Sequence, residues 1–396
     1  EGRITTTGGL MKIYPGPAVI ADKSNADILP VCIEGSQYSD FSYFGSKVKS
    51  RRQRKITLTV LPPRKLGIDG EIPDGQRRQI AVTKLYDIMC EMKFASSLTT
   101  DTVFDSLIKA VKLVGRNKEI LDDINRTPIS LGSLIGAIFA FSKLIRRKTK
   151  ENEYIGLMLP NSKTTVELFF SLSAVNRIPC MINYANSVGS IIEYINNTGA
   201  KNIFTSKAFI KESALEELAV KLSDNGINVI YVEDLKKELK LSDKVFAYFM
   251  SYCPSYYYKK INGSIDSLKT AVVLYTSGAE GTPKAVALTH KNIQTNRNQI
   301  SSVLDFGLMD SFFNTMPIFH SFGIVGGMFL PLLRGIKVFM YHSPLHYKIV
   351  PELVYETNST VIFGTDTFLN GYAKSAHPYD FYFARFVVAG VEKLRE

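Results

Sequence analysis

The sequence predicts an α/β protein whose larger part is built from parallel sheets covered by helices. From about residue 127 onward, short apolar runs alternate with helical segments of ten or more residues, a rhythm typical of such sheets. Residues 1 to about 64 instead contain two β-branched runs, Ile28–Ile33 and Ile56–Leu61, which predict a compact β-rich part. Between these parts, apolar residues at helical spacing from Leu85 to Val114 predict two or three helices.

Eight apolar runs in the larger part are predicted strands, since they are short and rich in β-branched or aromatic residues. They are Ile155–Leu159, Pro179–Ile182, Asn202–Thr205, Val229–Val232, Ala271–Tyr275, Val338–Tyr341, Thr360–Phe363 and Phe386–Ala389. The longest apolar stretches are Pro128–Ile145 and Phe322–Leu333. Both are shorter than the roughly 20 apolar residues of a membrane-spanning helix, so we expect buried core helices there.

Composition is that of an ordinary globular protein with an excess of positive charge. Of the 396 residues, 45% are hydrophobic and 21% are charged, and the formal net charge is +11. Two basic clusters stand out, one at residues 47–55 and one at Arg146–Lys148 with Lys150. Such clusters suit anionic lipid, an acidic protein partner or nucleic acid, and a solvated edge is the alternative. No nucleic-acid-binding signature accompanies them, so nucleic acid is not an expected partner.

Cysteine and histidine usage predicts neither a disulfide framework nor a metal site. The four cysteines are scattered and form no C-x-x-C pair. The five histidines form no cluster with them, which makes a structural zinc site an unlikely feature of this chain.

The most informative segment is Tyr275–Lys284, a small-residue loop between two apolar runs. The hydroxyls of Thr276 and Ser277, and the backbone amides around the two loop glycines, can donate to anionic oxygens. Lys284 adds a positive charge on a flexible stem. The spacing differs from the Walker type, because two residues separate Gly281 from the lysine. A polyphosphate cradle and a plain turn between strands are the two interpretations of such a loop.

The complete string resembles the phosphate loop of the acyl-adenylate-forming enzymes. That family joins a carboxylic acid to ATP, giving acyl-AMP and pyrophosphate, and then passes the acyl group to a thiol. The resemblance implies contacts to ATP phosphates from Thr276, Ser277, Gly278, Glu280, Gly281, Thr282 and Lys284. Ala279 and Glu280 stand where most members have small hydroxylated residues, and Ala285 stands where glycine is usual. Alanine there would cost about 1 kcal/mol if the position has a positive φ.

Other segments resemble landmarks of the same family. Leu159–Ser162 and Arg177–Pro179 look like its early landmarks, and Val388–Leu394 looks like the strand and turn beside the adenine. Met316–Gly323 is similar to its fourth motif. This last resemblance implies that the acyl pocket is bordered by Phe319, His320, Phe322 and Gly323.

Histidines near this motif are open to two interpretations. His320 is either a core histidine in an aromatic cluster or a wall of the acyl pocket. His342 and His346 lie in a turn rich in tyrosine and proline, and we expect them to be structural. Phe312, Phe313 and Phe329 are predicted to pack in the core, where they could also line an acyl tunnel.

The front of the chain resembles a second family, the glycerophospholipid acyltransferases. Glu1-Gly2-Arg3, followed by Ile28–Val31, is similar to that family's third and fourth motifs. The resemblance implies that Glu1, Gly2 and Arg3 bind the acceptor. The family's His-x-x-x-x-Asp pair, with His as general base, is not in this part, since the first histidine is His290.

Together the resemblances imply three parts. These are a partial glycerophospholipid acyltransferase domain at residues 1–66, a helical connector at 67–126 and a partial AMP-binding domain at 127–396. The order is similar to that of bifunctional bacterial enzymes that use ATP and Mg²⁺ to load a fatty acid onto acyl carrier protein. Those enzymes then move the acyl group to a lysophospholipid at the cytoplasmic face of the inner membrane.

The implied partners are therefore a fatty acid, acyl carrier protein, the lysophospholipid 2-acylglycerophosphoethanolamine and an anionic membrane surface. The sequence stops before the adenylating family's Tyr-Gly-x-Thr-Glu motif and its C-terminal lid. We therefore expect the isolated chain to be inactive. The alternative interpretation is a non-catalytic remnant that keeps lipid or nucleotide contacts.

Overall fold

A computed structural model describes residues 9–10, 13–39, 42, 55–276 and 284–394. The chain separates into two units, one of residues 1–99 with 294–309 and one of residues 100–293 with 310–396. The division passes through the predicted connector, so its two helices belong to different units. The domain boundaries expected from the sequence stay a prediction.

Before residue 100, the described part of the first unit contains two α-helices and a two-stranded sheet. Its elements are α1 (Pro15–Lys23), β1 (Val31–Glu34), β2 (Thr57–Val60) and α2 (Asp74–Ser96). The strands pair antiparallel, and they overlap the two runs predicted as strands. A small apolar core forms around Ala18, Leu66, Ala81 and Leu85. Helix α1 was not predicted, because Pro15-Gly16-Pro17 is typical of a turn, yet proline is tolerated in a first helical turn.

The second unit contains two six-stranded sheets. The first sheet has the spatial order β10 (Lys284–Thr289), β9 (Thr270–Thr276), β6 (Ile178–Met181), β5 (Tyr154–Leu157), β7 (Asn202–Thr205) and β8 (Asn228–Tyr231). The second has the order β14 (Phe386–Ala389), β13 (Val361–Gly364), β11 (Ser311–Asn314), β12 (Lys337–Met340), β3 (Glu119–Asp123) and β4 (Ile129–Ser130). Only the edge strands β10 and β4 pair antiparallel in the described sheets.

All eight runs predicted as strands in the larger part form strands, with ends that differ by one or two residues. Three sheet strands, β3, β4 and β11, were not predicted. Strand β3 ends in Asp122 and Asp123, and buried carboxylates argue against a core strand. Asp123 is nevertheless paired, because Lys163 lies 3.2 Å from its carboxylate. Strand β11 contains Phe312 and Phe313, which are fully buried, as expected for core residues.

Helices cover the sheets. They are α3 (Val103–Val114), α4 (Leu131–Lys148), α5 (Lys163–Ser173), α6 (Val188–Thr198), α7 (Lys207–Glu212), α8 (Glu216–Asp224), α9 (Val232–Glu238), α10 (Leu241–Met250), α11 (Pro254–Asn262), α12 (His290–Val303), α13 (Ser321–Ile324), α14 (Leu330–Leu332), α15 (Ile349–Glu356) and α16 (Asp366–Ser375). Four of them begin at a serine whose hydroxyl accepts the backbone N–H three residues on, and these caps are Ser130, Ser162, Ser187 and Ser206.

The two longest apolar stretches form buried helical segments, as predicted. Pro128–Ile145 is mostly α4, and Phe322–Leu333 runs through α13, a π-helical turn at Val325–Phe329 and α14. Within the described ranges, none of the helices has both the length and the apolar character needed to cross a bilayer.

His290, the first residue of α12, contacts the start of α3. Its ring is buried, and Nδ1 accepts the backbone N–H of Val103 at 3.2 Å. Burial lowers the pKa of His290 to about 4, from its usual value of 6.5. The ring is therefore neutral at pH 7, which is the state in which Nδ1 can accept a hydrogen bond.

We predict that the second unit loses stability as the pH falls from about 6.5 to about 4. In this window the unfolded chain takes up a proton that the folded chain excludes, which removes about 3 kcal/mol from the free energy of unfolding. The pKa of Asp243 is lowered, so that carboxylate titrates below the window. His290→Gln, which keeps an acceptor, should lose this part of the pH dependence in urea unfolding. Parallel pH profiles of the two proteins would contradict the assignment.

Candidate functional site

The segments singled out from the sequence lie at the carboxyl ends of parallel strands. In the first sheet, Asn161 and Tyr184 follow β5 and β6, and Thr276 ends β9. In the second sheet, Met316 follows β11 and Thr365 follows β13. Ligands of open α/β sheets bind outside the carboxyl ends of the strands, so these two edges are the candidate site.

Asn161 joins the two edges through its side-chain amide. The Nδ2 atom donates to the carbonyl oxygens of Met316 at 2.9 Å and of Tyr341 at 3.2 Å. The Oδ1 atom accepts the backbone N–H of Ile318 at 3.1 Å. The residue is buried, and the reversed amide would place its oxygen against two carbonyls. Leu159–Ser162 was singled out as a landmark, but this bridging role was not predicted.

The predicted phosphate loop has its two ends side by side. Strands β9 and β10 form an antiparallel pair in which Thr276 lies opposite Lys284, and both residues are exposed. The two strands predicted on either side of the loop are therefore confirmed. The other predicted phosphate contacts lie outside the described residues, and these are Ser277, Gly278, Glu280, Gly281 and Thr282.

Ala285 does not carry the strain considered from the sequence. It is an extended residue of β10 paired with Tyr275, and it is not among the non-glycine residues with positive φ. Alanine in place of the usual glycine therefore causes no conformational strain here, because the position does not require a left-handed backbone.

Tyr275 anchors the strand that leads into the loop. Its ring stacks on Tyr194 with centroids 4.6 Å apart, and its hydroxyl lies 3.1 Å from the hydroxyl of Thr198. Burial raises the pKa of Tyr275, and it raises the pKa of the neighbouring Cys180 thiol to about 12. Both groups are neutral at pH 7, so they support the strand rather than supply charge to the site.

Phe319 and His320 have different surroundings. Phe319 is buried with its ring 5.2 Å from that of Tyr184, which in turn contacts Phe209 at 4.8 Å. His320 is exposed, with its ring 4.8 Å from that of Phe319, and partial desolvation lowers its pKa. Of the two interpretations, the structure excludes a fully enclosed core histidine. A role in the acyl pocket stays a prediction.

Phe322 connects the fourth-motif segment to the turn after β14. Its ring lies 5.6 Å from that of Phe363, and a Cβ added to Gly390 would lie 2.8 Å from it. Beyond Gly390, the carboxylate of Glu392 accepts hydrogen bonds from the backbone N–H and the hydroxyl of Thr367 at 3.0 and 2.8 Å. The structure thus brings together two segments, Met316–Gly323 and Val388–Leu394, that were predicted separately.

Gly323 lies in α13 and lets this helix pack closely against the segment that precedes it. A Cβ at this position would lie 2.2 Å from the carbonyl oxygen of Pro317 and 2.6 Å from that of Met316. Any side chain at position 323, predicted as a pocket residue, would therefore clash with backbone carbonyl oxygens. This steric limit explains the glycine without reference to a ligand.

Two features of the site were not predicted. The Tyr341 hydroxyl lies 2.7 Å from Nδ1 of His346. This contact fixes Tyr341, the residue after β12 whose carbonyl oxygen accepts from Asn161. The hydroxyl of Thr365 is buried and has no hydrogen-bond partner within the described ranges. Buried hydroxyls are normally satisfied by protein, water or ligand, so this one can serve a bound molecule. No sequence pattern distinguishes a threonine of this kind.

One further set of predicted residues cannot be placed. Glu1, Gly2 and Arg3, the predicted acceptor-binding residues, lie outside the described residues. Across the part of the chain that the structure describes, no group of three or more His, Cys, Asp or Glu side chains is arranged to hold a metal ion.

We predict that Asn161→Ala lowers the free energy of unfolding by about 2–4 kcal/mol. The change leaves two carbonyls and one N–H buried without partners. Asn225→Ala is the control, because its side-chain amide is exposed and donates only to the preceding turn of its own helix. Urea unfolding measures both. If both variants lose the same small amount of unfolding free energy, the hydrogen bonds of Asn161 contribute little to stability.

We also predict opposite effects of alanine at two helical glycines. Gly323→Ala should lower the free energy of unfolding by about 1–3 kcal/mol, because its Cβ meets backbone that cannot move freely. Gly136→Ala in α4 should raise it by up to about 1 kcal/mol, since its Cβ meets nothing within 4 Å. Thermal melts of both variants test this, and a neutral Gly323→Ala would contradict it.

Comparisons with known proteins agree with this geometry. The model of the AMP-binding enzyme family matches residues 137–396, more than half of the chain. The acyl-CoA ligase sidI of Aspergillus fumigatus is 22% identical over 247 residues, which cover 60% of this chain and 42% of that protein. The medium-chain-fatty-acid–[acyl-carrier-protein] ligase TtuA of Teredinibacter turnerae is 23% identical over 249 residues, 57% of this chain and 38% of that protein.

Solved structures share the fold. The o-succinylbenzoate coenzyme A synthetase MenE from Bacillus subtilis, in complex with AMP, superposes with a TM-score of 0.61 and 18% identity, over 75% of this chain and 55% of that chain. The chain spans less than half the length of the two curated relatives named above. The first 136 residues lie outside the family match, and these comparisons do not show an acyltransferase domain. The matched residues include Asn161, the loop ends and the Phe322–Gly390 contact, and the chain belongs to the AMP-binding enzyme family.

Proposed function

We propose that this chain serves an ATP-dependent ligase that activates a fatty acid as acyl-AMP and transfers the acyl group to acyl carrier protein. A carboxylate oxygen of the acid attacks the α-phosphorus of ATP, and pyrophosphate leaves. The thiol sulfur then attacks the acyl carbon, AMP leaves, and the thiol proton goes to solvent. The observation that carries the proposal is the Asn161 bridge, which holds the fourth-motif segment at the strand edge where the loop begins.

The described ends of the loop suit a polyphosphate. Thr276 and Lys284 face each other across the end of the hairpin and offer a hydroxyl and a cation. The Lys284 ammonium forms no ion pair with the described acidic residues, so it is available to an anion. The buried hydroxyl of Thr365 is a further polar group of the candidate site, at the carboxyl end of β13 in the second sheet. Mg²⁺ would enter with ATP, bound through its phosphates.

The acid and the thiol are proposed from the relatives and from the aromatic segment. Two relatives carry the name medium-chain-fatty-acid–[acyl-carrier-protein] ligase, TtuA and JamA of Moorena producens, the second 31% identical over 144 residues. Phe319 and Phe322 provide apolar surface of the kind that an acyl chain contacts. Coenzyme A is the competing thiol, since sidI is an acyl-CoA ligase.

We propose further that the parent protein is a bacterial 2-acylglycerophosphoethanolamine acyltransferase/acyl-[acyl-carrier-protein] synthetase at the cytoplasmic face of the inner membrane. Support comes from the resemblance of Glu1-Gly2-Arg3 and Ile28–Val31 to acyltransferase motifs. The lysophospholipid would be the final acyl acceptor. Residues 1–289 contain no histidine, so the general base of this second reaction would have to lie outside this sequence.

We predict that Lys284→Ala weakens ATP binding by the 396-residue chain at least tenfold, the effect of losing a charge-assisted contact to phosphate. Lys269→Ala is the matched control, because Lys269 is an exposed lysine just before the opposite end of β9. Isothermal titration with ATP measures both. Equal affinities of the two variants would contradict the assignment.

The same protein also tests the alternative of a non-catalytic remnant. Loading of a fatty acid onto acyl carrier protein, followed by the mobility shift of the carrier in a gel, would exclude the remnant. Loading of coenzyme A in preference to the carrier would replace the proposed thiol. Absence of both ATP binding and loading would favour the remnant.

A further inference from the structure

Helix α10 has its polar and apolar faces reversed. The side chain of Asp243 is 1% exposed, whereas Leu241 is 77% exposed and Phe249 is 60% exposed. A surface helix normally buries its apolar side and turns its charged residues to water. On α10 the carboxylate faces the protein, and large apolar side chains face outward.

Ion pairs with α4 explain the orientation. The Asp243 carboxylate lies 2.6 Å from Nζ of Lys143 and 3.1 Å from a guanidinium nitrogen of Arg147. The hydrogen bond from Lys143 is the main cause that lowers the pKa of Asp243, so the carboxylate stays ionised. Lys148 is also paired, with Glu238 at 2.9 Å. Within the basic cluster predicted at Arg146–Lys148, Arg147 is therefore paired with α10 and Lys148 with α9.

The exposed apolar side chains continue from α10 into α11. We define this surface as the α10–α11 face, and it consists of Leu241, Val245, Tyr248, Phe249, Tyr252 and Tyr256. Within α10, Leu241, Val245 and Tyr248 recur at helical spacing and lie on one side. Tyr252 continues this surface beyond the helix, since its hydroxyl lies 2.8 Å from that of Tyr248. Three of the six are tyrosines, whose rings are apolar and whose hydroxyls are polar. Tyrosine is the residue type that concentrates where apolar and aqueous phases meet.

The surroundings of the α10–α11 face are positively charged. Residues 236–260 contain six lysines and only two acidic residues, Glu238 and Asp243. Both acidic residues are paired with cations of α4. Five of the lysines form no ion pair within the described ranges, and they are Lys236, Lys240, Lys244, Lys259 and Lys260. These unpaired lysines surround an apolar surface. Such a surface is complementary to a partner whose anionic outer layer covers an apolar interior.

A cleft of about 700 Å³ opens beside the face, between α4 and α10. Tyr248 and Tyr252 belong to both the face and the cleft, and Lys244 also lines it. At one end Arg116 lies over the ring of Tyr252 at 3.7 Å and donates to the hydroxyl of Ser251 at 3.0 Å. No described acidic residue pairs with Arg116. The cleft thus holds three cations, Arg116, Lys236 and Lys244, against one carboxylate, Glu167, beside apolar side chains, and this excess of positive charge suits an anionic headgroup with attached hydrocarbon.

We propose that the α10–α11 face docks onto an anionic phospholipid bilayer. The apolar side chains enter the headgroup layer, the tyrosine hydroxyls remain at its level, and the lysines contact lipid phosphates. The cleft admits part of one anionic lipid. This inference is independent of the proposed ligase activity, since docking requires neither ATP nor an acyl acceptor.

The chain contains no tryptophan, which permits a direct test with the 396-residue protein. Phe249→Trp places a single indole on the face. With vesicles of phosphatidylglycerol and phosphatidylcholine we expect its emission to shift to the blue and the protein to co-sediment. With pure phosphatidylcholine, or at high salt, both effects should be much smaller. Val220→Trp, at an exposed apolar position of α8, is the control and should show no shift.

Loss variants test which side chains are used. Leu241→Gln with Phe249→Gln should lower the vesicle partition coefficient by at least about tenfold, and Val220→Gln should leave it unchanged. Lys259→Ala with Lys260→Ala should lower it by about fivefold per lysine on anionic vesicles. All these side chains are exposed, so the urea unfolding midpoints should match that of the parent chain.

Four results would overturn the proposal. The first is an absence of binding to anionic vesicles by the parent chain. The second is binding that the face variants leave unchanged. The third is a concentration-dependent dimer that Leu241→Gln with Phe249→Gln abolishes while vesicles have no effect, which would assign the face to a second copy. The fourth is a tryptophan shift produced by acidic carrier protein and not by vesicles, which would assign it to that protein.

Discussion

The candidate site depends on one buried amide. A carboxamide offers two N–H donors and one acceptor oxygen, and Asn161 uses all three functions on backbone groups of the opposite sheet edge. No aliphatic residue could occupy this position without leaving those groups unpaired, and an acid would lack the donors. The bonds fix where the chain goes after β11 and after β12. The positions of Phe319, Phe322 and Gly323 follow from that path.

Burial changes abruptly where the phosphate loop begins. Tyr275 is enclosed by Tyr194 and Thr198, and the next residue, Thr276, is exposed. The same change occurs from Phe319 to His320. Each pair places a rigid aromatic anchor directly before a polar side chain at a strand edge. Polar groups held in this way need little reordering when an anionic substrate binds, which reduces the entropy cost of binding.

The sequence could predict those parts of the fold that depend on continuous apolar runs. The eight strands of the larger part were of this kind, because parallel strands are buried on both faces. Strand β3 could not be recognised, since the buried carboxylate of Asp123 is stabilised by Lys163, which is distant in sequence. The same limit applies to the site. Motif spacing located the loop and Met316–Gly323, but the role of Asn161 and the unpaired hydroxyl of Thr365 exist only once two sheets are brought together.

Phe322 and Gly390 restrain each other. The aromatic ring occupies the volume that a side chain at position 390 would need. Any bulkier residue at 390 therefore requires a smaller one at 322. A smaller residue at 322 without a larger one at 390 would leave a cavity that weakens the turn. In related sequences, substitutions at positions 322 and 390 should therefore be correlated.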